Sequence, residues 1–328
     1  MRVLTQADPE EARRLLDAGE FVWIDLQAPD AAELERLGGV LGLHPLAVED
    51  TRDFGQRAKV DRYGDAALLV FFAATTRDDR TAAPVEVHLH AAEHFLLTVR
   101  PDGAITGMDG LHEYVAAHPP RPEDAIVYRV LDALADTLGP ALERQRAVLD
   151  ELDEEILERP RAAQLERLVA LKRSSATLKR RLTEQHDLFG ALEDAILALP
   201  GLGPEALPYL RDVGDHTAHA AADATEQSAA LESMTGTYFS ANANRLTAVS
   251  ERLGIAATII LPLTFVTSFF GQNFGWLVGQ IDTLETFLIW GVGGLFVPLA
   301  ASVAYLLARR ANSRKERRTP ASDVELRA

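Results

Sequence analysis

Leu253–Ile281 reads LGIAATIILPLTFVTSFFGQNFGWLVGQI, 29 residues without one charged side chain, interrupted midway by Gly271-Gln272-Asn273. As a helix, the stretch Leu253–Phe270 rises about 27 Å, close to the hydrocarbon thickness of a bilayer. A second uncharged run, Thr286–Ala308 (TFLIWGVGGLFVPLAASVAYLLA), has 23 residues and is also long enough to cross. The chain is therefore expected to span a membrane twice, near its C-terminal end.

Orientation follows from charge. The N-terminal stretch MRVLTQADPEEARRLL is charged throughout and lacks an apolar run of signal-peptide length, so the large N-terminal part is expected to stay where it is made. After Ala308 comes RRANSRKERR, whereas the connection between the spans carries only Asp282 and Glu285. The positive-inside rule then places both termini in the cytoplasm of a cell-membrane protein. Formal charge is −16, but residues 309–328 hold a net of +4, leaving −20 on the rest. An acidic body disfavours nucleic acid as a partner and concentrates cations. The absence of cysteine excludes disulfides, thiolate metal sites and cysteine catalysis.

Residues 1–120 read as an α/β domain. Phe21–Leu26 and Ala67–Phe72 are apolar runs of strand length, while Val85, Val87 and Leu89 alternate with polar residues before Phe95–Val99, an expected antiparallel hairpin. Pro9-Glu10-Glu11 and Asp30 mark helix starts between them. Residues 121–204 show helical spacing, with 123–158 and 161–199 read as two long antiparallel helices parted by Arg159-Pro160. Asp150, Glu151, Asp153, Glu154, Glu155 and Glu158 near the first helix's end suit a solvated face or weak cation binding. Residues 205–270 read as one stalk helix continuing into the first span, about 93 Å long from Tyr209 if unbroken. Residues 271–285 form the outer loop, 286–308 the second span and 309–328 a basic cytoplasmic tail. The fold class is an α+β cytoplasmic domain followed by long α-helices and two C-terminal transmembrane helices.

Two helices cannot enclose water, so a transport reading requires several copies around an axis. On the first span Thr247, Ser250, Leu253, Ala257, Leu261, Thr264 and Ser268 fall on one uncharged stripe that ends at Gly271-Gln272-Asn273. Hydroxyls and amides bind a hydrated cation through its water shell without holding it too tightly to leave. Pro262 frees the Thr258 carbonyl, a break that needs protein or water to satisfy it. A plain packed helix pair explains the same residues.

WIDL (Trp23–Leu26), LHPLAVED (Leu43–Asp50), RAKVDRY (Arg57–Tyr63), FLLTVR (Phe95–Arg100) and LPLTFVTSFFGQNF (Leu261–Phe274), in that order, resemble the CorA family of magnesium transporters. The resemblance implies a funnel-shaped homopentamer with stalk helices lining a pore and the Gly-x-Asn corner at its outer mouth. It assigns Gly271, Gln272 and Asn273 to the pore entrance, with Asn273 meeting the hydrated ion and Leu253 and Leu261 as hydrophobic constrictions. It implies magnesium as substrate and as the ligand of a cytosolic regulatory site, with Asp212 and Asp215 on the long helix and Asp78 and Asp79 in the loop Arg77–Arg80. The chain departs from the family in Gln272, where methionine is usual, in Phe270, where tyrosine is common, and in its outer loop, Gly279–Glu285.

Magnesium sheds water reluctantly and suits neutral amide oxygens, whereas tight zinc binding favours His or Cys, and neither span contains one. There is no P-loop lysine and no ionisable residue in either span for proton coupling, so the membrane potential is the expected drive. No enzyme activity and no cofactor are expected. Channel-like uptake of a divalent cation, Mg2+ first, stands beside a zinc or cobalt/nickel transporter of the same fold and a non-transporting membrane metal sensor or scaffold. His88, His90 and His94 offer a possible zinc set on one strand. His44, Glu49 and Asp50 match metal ligands in type, and Arg57 and Lys59 beside Asp61 read as interdomain ion pairs.

Overall fold

Phe21–Leu26 shows no polar alternation because both its faces are covered. Val22, Ile24 and Leu26 enter one core with Leu34, Leu37 and Leu41, while Phe21 and Trp23 enter another with Leu96, Met108 and Val130. Such two-sided burial is the habit of strands paired in parallel. The computed structural model describes residues 1–103, 105, 108–118, 125–197, 207–272 and 275–316, and it divides into two compact units, Met1–Phe239 and Ser240–Ala328.

The first unit contains one six-stranded sheet, made of β1 (Arg2–Leu4), β2 (Val22–Gln27), β3 (Lys59–Tyr63), β4 (Ala66–Thr76), β5 (Ala82–Ala92) and β6 (Phe95–Arg100). Their order is β1-β2-β6-β5-β4-β3, with β1, β2 and β6 parallel and the remaining pairs antiparallel. The expected hairpin is present as β5 and β6. β1 and β3 are extra, being too short or too charged to stand out as apolar runs.

Helices α1 (Pro9–Asp17), α2 (Ala31–Leu41) and α3 (Pro45–Arg52) precede β3. Asp8 caps α1 with Pro9 in its first turn, and Asp30 with Glu33 forms a reciprocal capping box on α2. His44 caps α3, its Nδ1 accepting from the Leu46 N–H at 3.2 Å. A Cβ on Gly38 would lie 2.9 Å from Val48 Cγ2, so only glycine lets α3 approach α2 this closely.

After the sheet come α4 (Met108–Ala117), α5 (Ala125–Ala135), α6 (Leu138–Glu158), α7 (Ala162–Leu197) and α8 (Leu207–Phe270). The segment 123–158, read from sequence as one helix, is thus divided at Asp136-Thr137. The cause is local. Thr137 Oγ1 donates to the Leu134 carbonyl at 2.6 Å and accepts the Ala74 N–H of β4 at 2.8 Å, and Pro140 has no N–H for the Asp136 carbonyl. On α7, the Gln185 side-chain amide accepts from the Phe72 N–H and donates to the Phe72 carbonyl at 3.2 Å, where β3 no longer runs beside β4. Gln145 of α6 accepts from the Ala82 N–H at 3.0 Å and donates to Ser175 and Gln227, joining α6, α7 and α8 in the buried interior.

The WIDL motif contributes a buried charge. Asp25 and Arg100 are 2% and 4% exposed, and the guanidinium donates to Asp25 Oδ2 from Nη2 at 3.1 Å and from Nε at 3.2 Å. Thr98 Oγ1 donates to Asp25 and accepts from Trp23 Nε1 at 3.2 Å. His112 Nε2 lies 3.1 Å from Oδ2. Burial alone raises the Asp25 pKa, but the His112 and Thr98 contacts and the Arg100 charge together outweigh it and hold it below the usual carboxylate value.

The second unit holds the C-terminal part of α8, then α9 (Gly275–Gln280), α10 (Leu284–Thr286), a π-helical turn (Phe287–Val292) and α11 (Gly293–Glu316). Helix α11 therefore continues two turns past Ala308, the end of the second uncharged run.

Asp25→Ala strips Arg100 of its buried partner and should destabilise the chain by about 3–5 kcal/mol near neutral pH. Because the folded pKa of Asp25 is depressed, its contribution is present above the unfolded value of about 3.9 and is lost as pH falls through the folded one. Denaturation of wild type and variant in detergent should show a gap at pH 7 that closes on acidification; equal stability at pH 7 would remove the pair from its structural role.

Candidate functional site

Two helical segments of the second unit are long and apolar enough to cross a membrane: the C-terminal part of α8, and α10 through α11 to Ala308. Unlike a soluble protein's core helix, neither is buried in its most apolar window, at 0% and 6%.

The first span has two distinct faces. Ile255, Thr258, Ile259, Pro262, Leu263 and Val266 are half-buried, and Ser302 Oγ of α11 donates to the Thr258 carbonyl at 3.1 Å in the middle of that face. All seven stripe residues, Thr247, Ser250, Leu253, Ala257, Leu261, Thr264 and Ser268, are exposed, with Leu253 and Leu261 each at 67%. At about 100° per residue the two sets point about 150° apart. The stripe is thus the face that the second span leaves free.

Its hydroxyls are oriented. Thr247 Oγ1 donates to the Ala243 carbonyl at 3.0 Å and Thr264 Oγ1 to the Ile260 carbonyl at 2.9 Å. With the proton turned back onto the helix, each hydroxyl oxygen keeps acceptor capacity on its outer side. The water shell of a cation directs its O–H groups outward, so acceptors without charge match it. At the end of α8 the Gly271 N–H donates to the Thr267 carbonyl at 2.9 Å and the Gln272 N–H to the Phe269 carbonyl at 3.3 Å, and both residues are exposed. Asn273 lies outside the described residues.

In the first unit, Asp212 and Asp215 are exposed on α8. Asp212 acts on Tyr128 and Asp132 of α5: the Tyr128 hydroxyl is pushed up to about 12 by burial and by the negative charges of Asp132 and Asp212. Asp132 is itself raised, first by burial and then by Asp136. Asp132, Asp136 and His216 bring one ligand atom each within 4.8 Å of one another, with His216 Nδ1 3.5 Å from Asp136 Oδ1. Asp132 and Asp136 line a cleft of about 500 Å³ with Thr76, Arg129 and Arg144. Sequence reading missed this group because about 80 residues separate Asp136 from His216; the one signal available was Asp132 and Asp136 at i, i+4 spacing.

Asp78 is exposed, whereas Asp79 Oδ1 accepts from the Thr81 N–H and Oγ1, contacts that lower its pKa and close the Arg77–Arg80 turn. Among the described residues no hydrogen bond or ion pair joins Asp78 or Asp79 to Asp212 or Asp215 within one chain.

The other candidates serve the fold. His88 Nε2 contacts Glu86 Oε1 and His90 Nε2 contacts Thr51 Oγ1, each at 2.7 Å, while His94 is exposed in the β5–β6 turn, so the three do not converge on a metal. Burial lowers the His90 pKa to about 3, keeping the ring neutral. His44 is a helix cap, and Asp50 pairs with Lys59 at 2.7 Å. Lys59 also meets Asp61 at 2.8 Å, so these ion pairs lie within the N-terminal domain rather than between domains.

The family model described as CorA-like Mg2+ transporter protein matches residues 18–314. The chain is similar to the cobalt/magnesium transport protein CorA of Thermotoga maritima, at 26% identity over 283 residues, covering 84% of this chain and 80% of that protein. It is similar also to the zinc transport protein ZntB of Yersinia enterocolitica, at 22% identity over 244 residues, covering 73% and 74%. Among solved structures, the CorA magnesium transporter of Methanocaldococcus jannaschii superposes with a TM-score of 0.71 at 18% identity, covering 86% of this chain and 89% of that one.

The free stripe can be tested directly, since the chain has no cysteine of its own. In membranes, Ala257→Cys and Thr264→Cys should react with a water-soluble thiol reagent at least about tenfold faster than Ile259→Cys, because only a hydrated thiol ionises readily. Equal labelling of all three would leave the stripe facing lipid.

Proposed function

Since this chain belongs to the CorA-like Mg2+ transporter protein family, whose members are transporters and not enzymes, we propose that it forms a channel-like uptake path for divalent metal cations, with Mg2+ as the preferred ion. One observation carries this reading: the uncharged, hydroxyl-bearing stripe from Thr247 to Ser268 is exposed along its whole length and faces away from the second span. Five copies, the number the family resemblance implies, would join five stripes around one axis, with both termini of each copy in the cytoplasm. Rings of Leu253 and Leu261 would then alternate with rings of hydroxyls. Apolar rings dewet and close, while hydroxyl rings accept from the ion's water shell.

Gly271, Gln272 and Asn273 would form the outer mouth, with the Asn273 side chain meeting the hydrated ion. Neutral oxygens favour a hard cation that keeps its water. Moving inward, a divalent ion gains about 4.6 kcal/mol per 100 mV, which suffices without fuel. The names of the relatives motivate testing Co2+ and Zn2+ as well.

The same ion would close the path from the cytoplasm. Asp212 and Asp215, with Asp78 and Asp79 of a neighbouring copy, are the regulatory ligands the resemblance implies. Asp132, Asp136 and His216 gather beside Asp212 on the same face. A divalent cation there would relieve the repulsion that raises the Asp132 pKa.

Two measurements test the proposal. In proteoliposomes carrying an inside-negative potential, wild type should take up Mg2+ ahead of Co2+ and Zn2+, and Asn273→Ala should abolish uptake without loss of assembly. Wild-type flux in that variant would refute the entrance, and no flux in wild type would favour a sensor or scaffold. Separately, millimolar Mg2+ should protect the wild type from proteolysis, and Asp212→Ala should weaken that protection. Unchanged digestion would take Asp212 out of regulation.

A further inference from the structure

Ser302 is the single buried residue among the described residues of the second unit, 8% exposed where its neighbours on α11, Ala301 and Val303, are exposed. Its hydroxyl donates to the backbone carbonyl of Thr258 on the other span at 3.1 Å. That carbonyl is special. In a regular helix it would accept the N–H four residues on, but the residue there is Pro262, which has none. Thr258 spends its own hydroxyl on the Gly254 carbonyl at 2.8 Å and does not compete for the bond.

We propose that Ser302 is a positioning residue for the ion path, supplying from the second span the hydrogen bond that Pro262 removes from the first. The consequence for transport is geometric. Thr258 and Pro262 each directly follow a residue of the stripe-bearing face, Ala257 and Leu261. A proline break lets a helix bend, and bonding to the freed carbonyl limits how far it does so. Ser302 thereby sets where the Leu261 ring sits relative to the Leu253 ring, without touching the ion. The flux consequence rests on the transport reading above; the hydrogen bond does not.

A double-mutant cycle on the full chain decides it. Interhelical hydrogen bonds in membranes average about 0.6 kcal/mol, which is about threefold in an equilibrium. Ser302→Ala should therefore change the maximal Mg2+ flux in proteoliposomes about threefold while leaving the Mg2+ concentration for half-maximal flux unchanged. Ser302→Thr, which keeps the hydroxyl, should restore it. In a Pro262→Ala background the helix supplies its own N–H, so adding Ser302→Ala should have no further effect. The same non-additivity should appear in the melting temperature of the detergent-solubilised assembly. An equal effect of Ser302→Ala in both backgrounds, no effect in either, or failure of threonine to rescue would overturn the proposal. If Pro262→Ala does not assemble, the comparison of Ser302→Ala with Ser302→Thr decides alone. If the wild type carries no Mg2+, the transport reading falls, and the melting-temperature cycle still judges the bond.

Discussion

Hydrocarbon offers no hydrogen-bond partner, and that constraint governs the whole second unit. A backbone carbonyl there needs a partner from the protein or from ordered water, and the one that a proline of the first span frees at Thr258 is satisfied by Ser302 of the second. Once Ser302 fixes which face of the first span meets the second, the opposite face is determined as well. The stripe of hydroxyls and small residues is exposed in one copy because the two spans have already spent their mutual surface. Lipid is a poor match for back-bonded hydroxyls with outward lone pairs; water, or further copies enclosing water, is a better one.

The first unit works under a different constraint, the cost of negative charge. One carboxylate, Asp25, is buried and fully answered by Arg100, Thr98 and His112, so its charge is retained. Another group, around Asp132, is answered by the Tyr128 hydroxyl and by His216 at the margin of hydrogen-bonding distance, but burial and the Asp136 charge still raise its pKa. The first arrangement stabilises a fixed structure; the second keeps a half-buried carboxylate reluctant to ionise.

Much of this was legible in the sequence. Chain length without charge identified both spans, Asp30 with Glu33 announced a helix start, and the apolar Phe21–Leu26 run announced a strand. What escaped were effects that depend on distant partners. The interruption at Thr137 requires the Ala74 N–H of β4 to donate to its hydroxyl oxygen, and nothing near Thr137 in sequence signals it. Strand β3 is polar because it lies at the sheet edge, and the histidines of β5 have private partners in Glu86 and Thr51. Of the acidic groups, Asp212 was singled out by the family resemblance along the long helix, whereas Asp132, Asp136 and His216 converge only after α5 meets α8. The freed carbonyl of Thr258 was foreseeable from Pro262; its donor, 44 residues on, was not.

The Gln185 amide bears on how copies can meet. β3 pairs with β4 only as far as Val70, and beyond it the backbone of β4 is occupied by the side chains of Gln185 and Thr137. β3 itself is five residues long and carries Lys59, Asp61 and Arg62. Along this part of β4 there is no vacancy for a foreign strand. Chains crowded at high density in the plane of a bilayer are thereby kept from adding a strand to one another along this stretch of β4.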